Sequence, residues 1–359
     1  MASGIEIDFL PVGDGEHSGD AIAVRWLEDG QYKVLVYDGG HRGTGQVLVD
    51  HVKVHYGTTH VDFVVNSHPD NDHAGGLSIV LEQLSVGQLW MHQPWNYSEE
   101  IRHYFRDGRI TSESLVKRLQ AKMGAAYALE KLAEQKKIPV SEPFAGSRIG
   151  IFTVLSPGQH RYVHGLIPEF EKSPELRAAK EMLKSAANFV MDAVGFVTEL
   201  WTGENLPETV STSAENESSA VLFASVGERG YLLTGDAGVD TLRASAMYAS
   251  SIGIDLPTRV TFAQIPHHGG RHNVSTETLN LLFGAPSTNS QAAPTKTAFV
   301  SAAERAPRHP KRKVTNAFKR RGFNVAQTKG VPLRHFIGMP ARSGWVAAST
   351  VPFYEEVEE

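Results

Sequence analysis

The chain contains no cysteine among its 359 residues. That absence excludes disulfides, thiolate metal sites and a cysteine nucleophile. No stretch approaches the ~18 consecutive apolar residues of a membrane span. The most apolar window, 188–201, carries Asp192 and Glu199. The opening MASGIEIDFLPVG lacks the basic and apolar regions of a secretory signal. The expectation is a soluble, cytoplasmic protein with no membrane partner. Nor does one sign of charge dominate: 35 basic against 40 acidic side chains leave −5. With 41% hydrophobic and 21% charged residues, the chain fits an ordinary globular protein and not a disordered one. What the sequence does hold is 16 histidines, so any metal chemistry must run through His, Asp and Glu.

Residues 5–92 contain five short runs of strand character: IEIDFL, AIAVRW, YKVLVYD, VDFVVNS and QLWMH. Between 96 and 138, Leu115, Leu119, Met123, Ala126, Leu129 and Ala133 recur every three or four residues. This predicts one long helix with a single apolar face, capped by Ser112. Strand character returns in IGIFTVLSPG (149–158). Ser173-Pro174-Glu175 then predicts a helix start, with Leu176, Ala179, Leu183, Ala186, Val190 and Val194 as its stripe. SAVLFASV, YLLTGD, VTFAQIP and KTAFVSA read as further strands, 285–297 as a polar loop, and 311–321 as preceding a last helix–strand pair. Two β-rich halves joined to helices suggest two packed sheets with helices outside.

The densest chemical signal is Ser67-His68-Pro69-Asp70-Asn71-Asp72-His73-Ala74-Gly75-Gly76, directly after an apolar strand. Four potential ligands within six residues suit Zn²⁺ or Mn²⁺. Leu232-Leu233-Thr234-Gly235-Asp236 ends another strand on a carboxylate, and Pro266-His267-His268-Gly269-Gly270 ends a third on two imidazoles. Asp38-Gly39-Gly40 and His309-Pro310 follow two more. One strand-end Asp is a turn or cap residue; five such loops make turn chemistry a poor explanation.

These motifs resemble the metallo-β-lactamase superfamily, and most closely the hydrolase domain of the ComEC-type competence DNA-uptake protein. The resemblance covers Val12-Gly13-Asp14-Gly15, Asp38, 68–76, Asn216 to Ser219, 232–236, 266–270 and His309-Pro310. It implies a four-layer αββα sandwich with a two-metal site on one edge. It also implies a single domain over 1–350, helical inserts at about 93–147 and 159–213, and a solvated acidic tail at 351–359. Carried over by motif, His68 and Asp70 hold one ion. Asp72, His73 and one of His267 and His268, with His267 favoured, hold the other, and Asp236 bridges. Asp38 orients the His68 loop, and Asn216 stands where many relatives have a His. Residues 14–20 lengthen the first turn, and Glu16 and His17 read as a solvated loop.

Two ions of Zn²⁺ or Mn²⁺ would give a bridging hydroxide near neutral pH. Asp72 would orient it, while His268 and His309 are candidates to protonate a leaving group or hold a phosphate. Segment 303–321 carries eight Lys or Arg and one Glu, so it is +7 while the rest of the chain is −12. Such a patch attracts backbone phosphates. Ser218, Lys311, Arg312 and Lys313 are therefore the expected substrate contacts. The expected function is a metal-dependent phosphodiesterase acting on nucleic acid, DNA before RNA. The alternatives are a hydrolase of small phosphodiesters, with Trp90, Trp95, Tyr97 and Trp201 lining a pocket, or a non-catalytic binding protein.

Overall fold

The computed structural model of the protein describes residues 2–12, 15, 17–105, 110–170, 196–306 and 309–358. The helix expected after Ser173 lies outside the described residues up to position 195. The first sheet is built from β1 (Ala2–Phe9), β2 (Ala21–Glu28), β3 (Gln31–Gly39), β4 (His60–Val65), β5 (Ser85–Trp90) and β6 (Val140–Ser141). The second uses β7 (Arg148–Ile149), β8 (Phe152–Ser156), β10 (Val221–Val226), β11 (Arg229–Leu233), β12 (Val260–Gln264), β13 (Lys296–Val300) and β14 (Phe323–Gln327). β15 (Leu333–Ile337) crosses back to pair with β1, so each sheet has seven strands. β9 (Phe196–Thr198) and β16 (Glu356–Glu358) form a separate ribbon.

Period-two patterning turns these strands into layers. Ile5, Ile7 and Phe9 of β1, Leu35 and Tyr37 of β3, and Leu222, Ala224 and Val226 of β10 meet in one core between the sheets. Their neighbours point the other way. Val34 and Val36 pack under α1 (Gly45–His51) and α2 (Leu77–Gln83). Val221 and Phe223 pack under α5 (Val239–Ser251), α6 (Thr276–Phe283) and α7 (Arg312–Arg320). Three cores separated by two sheets make the expected αββα sandwich.

The long helix expected between 112 and 133 is two. α3 (Ser112–Lys122) and α4 (Gly124–Lys136) meet at Met123, whose backbone leaves the helical region at ψ 46°. Gly124, a weak helix former, starts the second segment. The cap is Thr111, whose side chain accepts the Ser114 N–H, and not Ser112. The apolar stripe survives the break: Leu115, Leu119, Ala126, Leu129 and Ala133 are fully buried. Each buried Leu contributes roughly 1.5–3 kcal/mol.

The expected solvated tail is also corrected. Val357 pairs with Val197, and Val351 and Val357 are buried. Glu358 accepts the Arg312 N–H at the start of α7 (3.0 Å), where a carboxylate meets unpaired donors. Apolar residues between the glutamates give this segment a reason to dock.

His335 of β15 lies between the sheets, its ring 4.7 Å from that of Phe262. Burial, helped by the charge of Arg229, pushes its imidazole down to about 4. An unfolded imidazole titrates near ~6.5, so between ~6.5 and ~4 the unfolded chain binds more protons and stability falls as pH falls. Urea unfolding at pH 5 is expected to show about 2 kcal/mol less stability from this group than at pH 7. His335→Phe should remove that component; an unchanged pH dependence would contradict the assignment.

Candidate metal centre

In each sheet the strands next to the centre run parallel, β3–β6 in the first and β11–β14 in the second. Their carboxyl ends share one edge of the sandwich, the usual place for a site in such sheets. Asp38 ends β3, 66–73 follow β4, Asp236 follows β11, and His267 and His268 follow β12. Short connections from rigid strands therefore bring four segments to one place.

The local backbone is forced into shape there. Asp38, His267 and His268 adopt φ of 58°, 48° and 55°, the left-handed region that non-glycine residues avoid. Strain of this kind costs on the order of 1–3 kcal/mol per residue and gathers at functional sites. Gly269 continues the turn at φ 81°, where a Cβ would lie 2.5 Å from Pro310 Cβ. Lys311 N–H donates to the Gly269 carbonyl at 3.0 Å, tying the His309 segment to this turn.

Four of the motif imidazoles, His68, His73, His267 and His268, are held by Nδ1. His73 Nδ1 lies 2.8 Å from Asp38 Oδ2. Asp38 also accepts the Ser67 N–H and hydroxyl at 2.7 and 2.6 Å. Because the Ser67 proton goes to Asp38, its oxygen accepts from His68 Nδ1 at 2.9 Å. Asn273 donates through Nδ2 to the Asp236 carbonyl, so its Oδ1 accepts from His267 Nδ1 at 2.6 Å. The Ser301 carbonyl takes His268 Nδ1 at 3.2 Å. Fixing the proton on Nδ1 aims the Nε2 lone pair inward, as metal-binding histidines require.

The inward atoms converge without protein partners. His68 Nε2, His73 Nε2, His268 Nε2 and Asp236 Oδ1 are buried, and none has a hydrogen bond. His73 Nε2 is 3.4 Å from Asp236 Oδ1 and 3.9 Å from Asp72 Oδ2. His268 Nε2 is 3.8 Å from both Asp72 Oδ2 and Asp236 Oδ2. Overlapping ligand groups result among the described residues, two of them being His68, His73 and Asp236, and Asp72, His73 and His268. Buried ligand atoms without hydrogen bonds, set beside carboxylates, fit divalent cations once the imidazoles lose the Nε2 proton, the donor set being nitrogen and oxygen only.

Several expectations change in detail. Of the pair His267 and His268, it is His268, and not the favoured His267, that stands in the ligand groups with Asp72, His73 and Asp236. His268 is 4% exposed with its Nε2 aimed at Asp72 and Asp236, whereas the His267 side chain is 33% exposed and reaches only Asp236, at 3.6 Å. Asp70 Oδ2 stands 3.6 Å from His68 Nε2. Asn216 directs its amide to Thr212 Oγ1 at 3.1 Å. Asp20, absent from the motif reading, is 1% exposed and shares ligand groupings with Asp236 and His268, and with Asp38 and His73. The inserted residues after Gly13 hid it; the signal was a Gly-Asp pair directly before the apolar AIAVRW strand. Gly13, Asp14 and Glu16 lie outside the described residues, and His17 is exposed.

Charge and burial pull the titrating groups apart. Burial would raise Asp236 and lower His73, but their mutual attraction wins: Asp236 falls well below and His73 rises well above its ordinary range. His268, against burial, is held up at about 9 by Asp236 and Asp72. Asp72, against burial, is drawn down to about 2 by His73 and His268. His309 goes the other way, to about 3, through burial and the charges of His268, His267 and Lys311. Its ring sits 6.1 and 6.3 Å from those of His267 and His268.

The basic segment is largely folded inward. Arg320 pairs with Glu199 and caps the carbonyls of Leu200, Trp201 and Gly203. Arg321 pairs with Glu204. Arg312 donates to the Glu356 carbonyl and covers the rings of Phe196 and Tyr354. Lys313 is 5% exposed, and Ser218 is buried with its hydroxyl on the Glu215 carbonyl. Of the four expected substrate contacts, three therefore serve the fold. Lys311 stays at the rim with Arg271; burial, Arg271, His267 and Lys311 together lower His272.

The metallo-beta-lactamase superfamily model matches residues 15–167. No curated protein matches the chain. Among solved structures, it is similar to the metallo-beta-lactamase fold protein YhfI from Bacillus subtilis, at 9% identity and a TM-score of 0.40, over 93% of this chain and 100% of that one. A beta-lactamase domain protein from Burkholderia ambifaria shares 14% identity over 72% of this chain and 66% of its own, with a TM-score of 0.33. Among the described residues, no helix is long and apolar enough to cross a membrane.

Proposed function

We propose that this chain, which carries a metallo-β-lactamase superfamily domain over residues 15–167, is a metal-dependent phosphodiesterase that hydrolyses nucleic acid, DNA first. The observation that carries the metal-dependent part is the convergence of four buried, unpartnered ligand atoms on His68, His73, His268 and Asp236. His68, His73 and Asp236 would hold one divalent ion, and Asp72, His268 and Asp236 the other. Such ions, when bound, neutralise charge developing on a phosphoryl oxygen and lower the pKa of water.

The chain's own residues do the positioning. Asp38, Ser67 and the Ser301 carbonyl keep the proton of each imidazole on Nδ1. Asp72, about a third exposed, is the buried cluster's carboxylate nearest solvent and can orient an incoming water by accepting its proton's hydrogen bond. Neutral His309 at the rim can accept a hydrogen bond from substrate or water. Arg271, beside His272, and Lys311, tied to the Gly269 turn, supply the positive charge that favours a phosphate chain. The aromatic side chains considered for a small-substrate pocket are engaged elsewhere. Trp95 and Trp90 pack in the cores, Tyr97 donates to Glu142, and Trp201 donates to the Ser287 carbonyl.

Ionic strength tests the substrate class. With the two cationic contacts of Arg271 and Lys311, DNA cleavage should fall about 12-fold between 50 and 200 mM salt. Hydrolysis of bis(4-nitrophenyl) phosphate by the same protein should change little. Equal, shallow responses for both substrates would count against nucleic acid.

A further inference from the structure

The turn entering β2 packs against the 68–73 loop and sets a further carboxylate, Asp20, into the centre. The Asp20 N–H donates to the Asp72 carbonyl at 3.3 Å. Gly19 packs against the same group so closely that a Cβ would lie 2.3 Å from the Asp72 carbonyl oxygen. Only glycine lets the two segments approach this far, so the place of Asp20 is tied to that of Asp72. Its Oδ2 accepts Gln264 Nε2 at 2.6 Å. Gln264 Oε1 in turn accepts the N–H groups of Thr234 and Gly235 at 2.8 and 3.0 Å, which fixes the orientation of the amide. One side chain thereby locks Asp20 to the strand end that presents Asp236.

The groups it faces want a cation. Ligand-capable atoms of Asp20, Asp236 and His268 lie within 4.8 Å of one another. His268 Nε2 and Asp236 Oδ1 there have no protein partner, and their side chains are more than nine-tenths buried. Two buried carboxylates side by side are unfavourable unless a positive charge sits with them. Consistent with that crowding, burial and the Asp236 charge raise Asp20 despite the attraction of His268 and His73.

We propose that Asp20 is a ligand of the divalent ion that Asp72, His268 and Asp236 would hold, an inference that rests on the metal-dependent reading above. The position then has three carboxylates, a hard donor set that favours Mn²⁺ over Zn²⁺. Metal-free protein titrated calorimetrically with MnCl₂, with melting temperatures taken before and after loading, tests it. Wild type should bind two Mn²⁺. Asp20→Asn should bind one as wild type does and the other at least tenfold more weakly. Its metal-free melting temperature should stay equal or rise, because the amide still accepts from Gln264 while the cost of burying a carboxylate charge is gone. Asp20→Glu, which keeps the charge, should retain part of the lost affinity. Two ions at wild-type affinity in Asp20→Asn would overturn the inference. So would a lowered metal-free melting temperature with binding unchanged, which would make Asp20 a structural acceptor only. Wild-type protein that binds neither Mn²⁺ nor Zn²⁺ would overturn the metal reading itself.

Discussion

Asp236→Asn is expected to lower the proposed phosphodiester hydrolysis by at least ~10³, equivalent to about 4 kcal/mol of transition-state stabilisation, and to leave the metal-free fold standing. The carboxylate is 2% exposed, and its two oxygens face His73 on one side and His267 and His268 on the other, at 3.4 to 3.8 Å. No other residue belongs to both the His68 group and a His268 group except His73. Removing its charge therefore weakens both ion positions at once. The backbone would not notice, because the Asp236 N–H is held by Ser219 Oγ and its carbonyl by Asn273, neither through the side chain. The check is metal content by atomic spectroscopy beside turnover of bis(4-nitrophenyl) phosphate. A variant with two ions and activity within tenfold of wild type would remove Asp236 from the centre.

Affinity for the proposed ions is expected to rise steeply with pH. His268 is held at about 9 and His73 well above its ordinary value by the surrounding carboxylates, so at neutral pH both carry protons in the metal-free protein. An ion needs the Nε2 lone pair and must displace that proton. Each displaced proton gives about tenfold in affinity per pH unit, until pH passes the imidazole's value. From pH 6.5 to 8.0 the gain is about 30-fold for one proton and about 10³ for two. The metal-free fold responds with the opposite sign. Raised imidazoles contribute stability fully present below ~6.5 and lost as pH rises through about 9. Mn²⁺ titrations at the two pH values, in buffers of different ionisation enthalpy, measure both affinity and proton release. A pH-independent dissociation constant would contradict the protonation states described here.

Much of this was legible in the chain because the chemistry sits where strands end. Runs such as VDFVVNS and YLLTGD announce both the strand and the ligand that follows it, and period-two alternation then dictates two sheets and three cores. The choice between His267 and His268 was not legible. It depends on two consecutive left-handed residues that turn one ring inward and leave the other a third exposed. Asp20 was obscured by residues inserted ahead of the Gly19-Asp20 pair. The basic run at 303–321 misled for a physical reason. Counting charges cannot see that Arg320 and Arg321 bury their guanidinium groups against Glu199 and Glu204, more than a hundred residues earlier. The docking of 351–358 likewise depends on β9, a three-residue partner strand without a pattern of its own.

The central claim is metal-dependent cleavage of nucleic acid by this edge of the sandwich. Its most direct test is supercoiled plasmid incubated at low salt with chelator-stripped protein reloaded with Mn²⁺ or Zn²⁺, with Asp72→Ala in parallel. The account predicts nicking or linearisation by the reloaded wild type and none by the stripped protein or by Asp72→Ala. Intact plasmid with two ions bound, or cleavage that persists in Asp72→Ala, would contradict it.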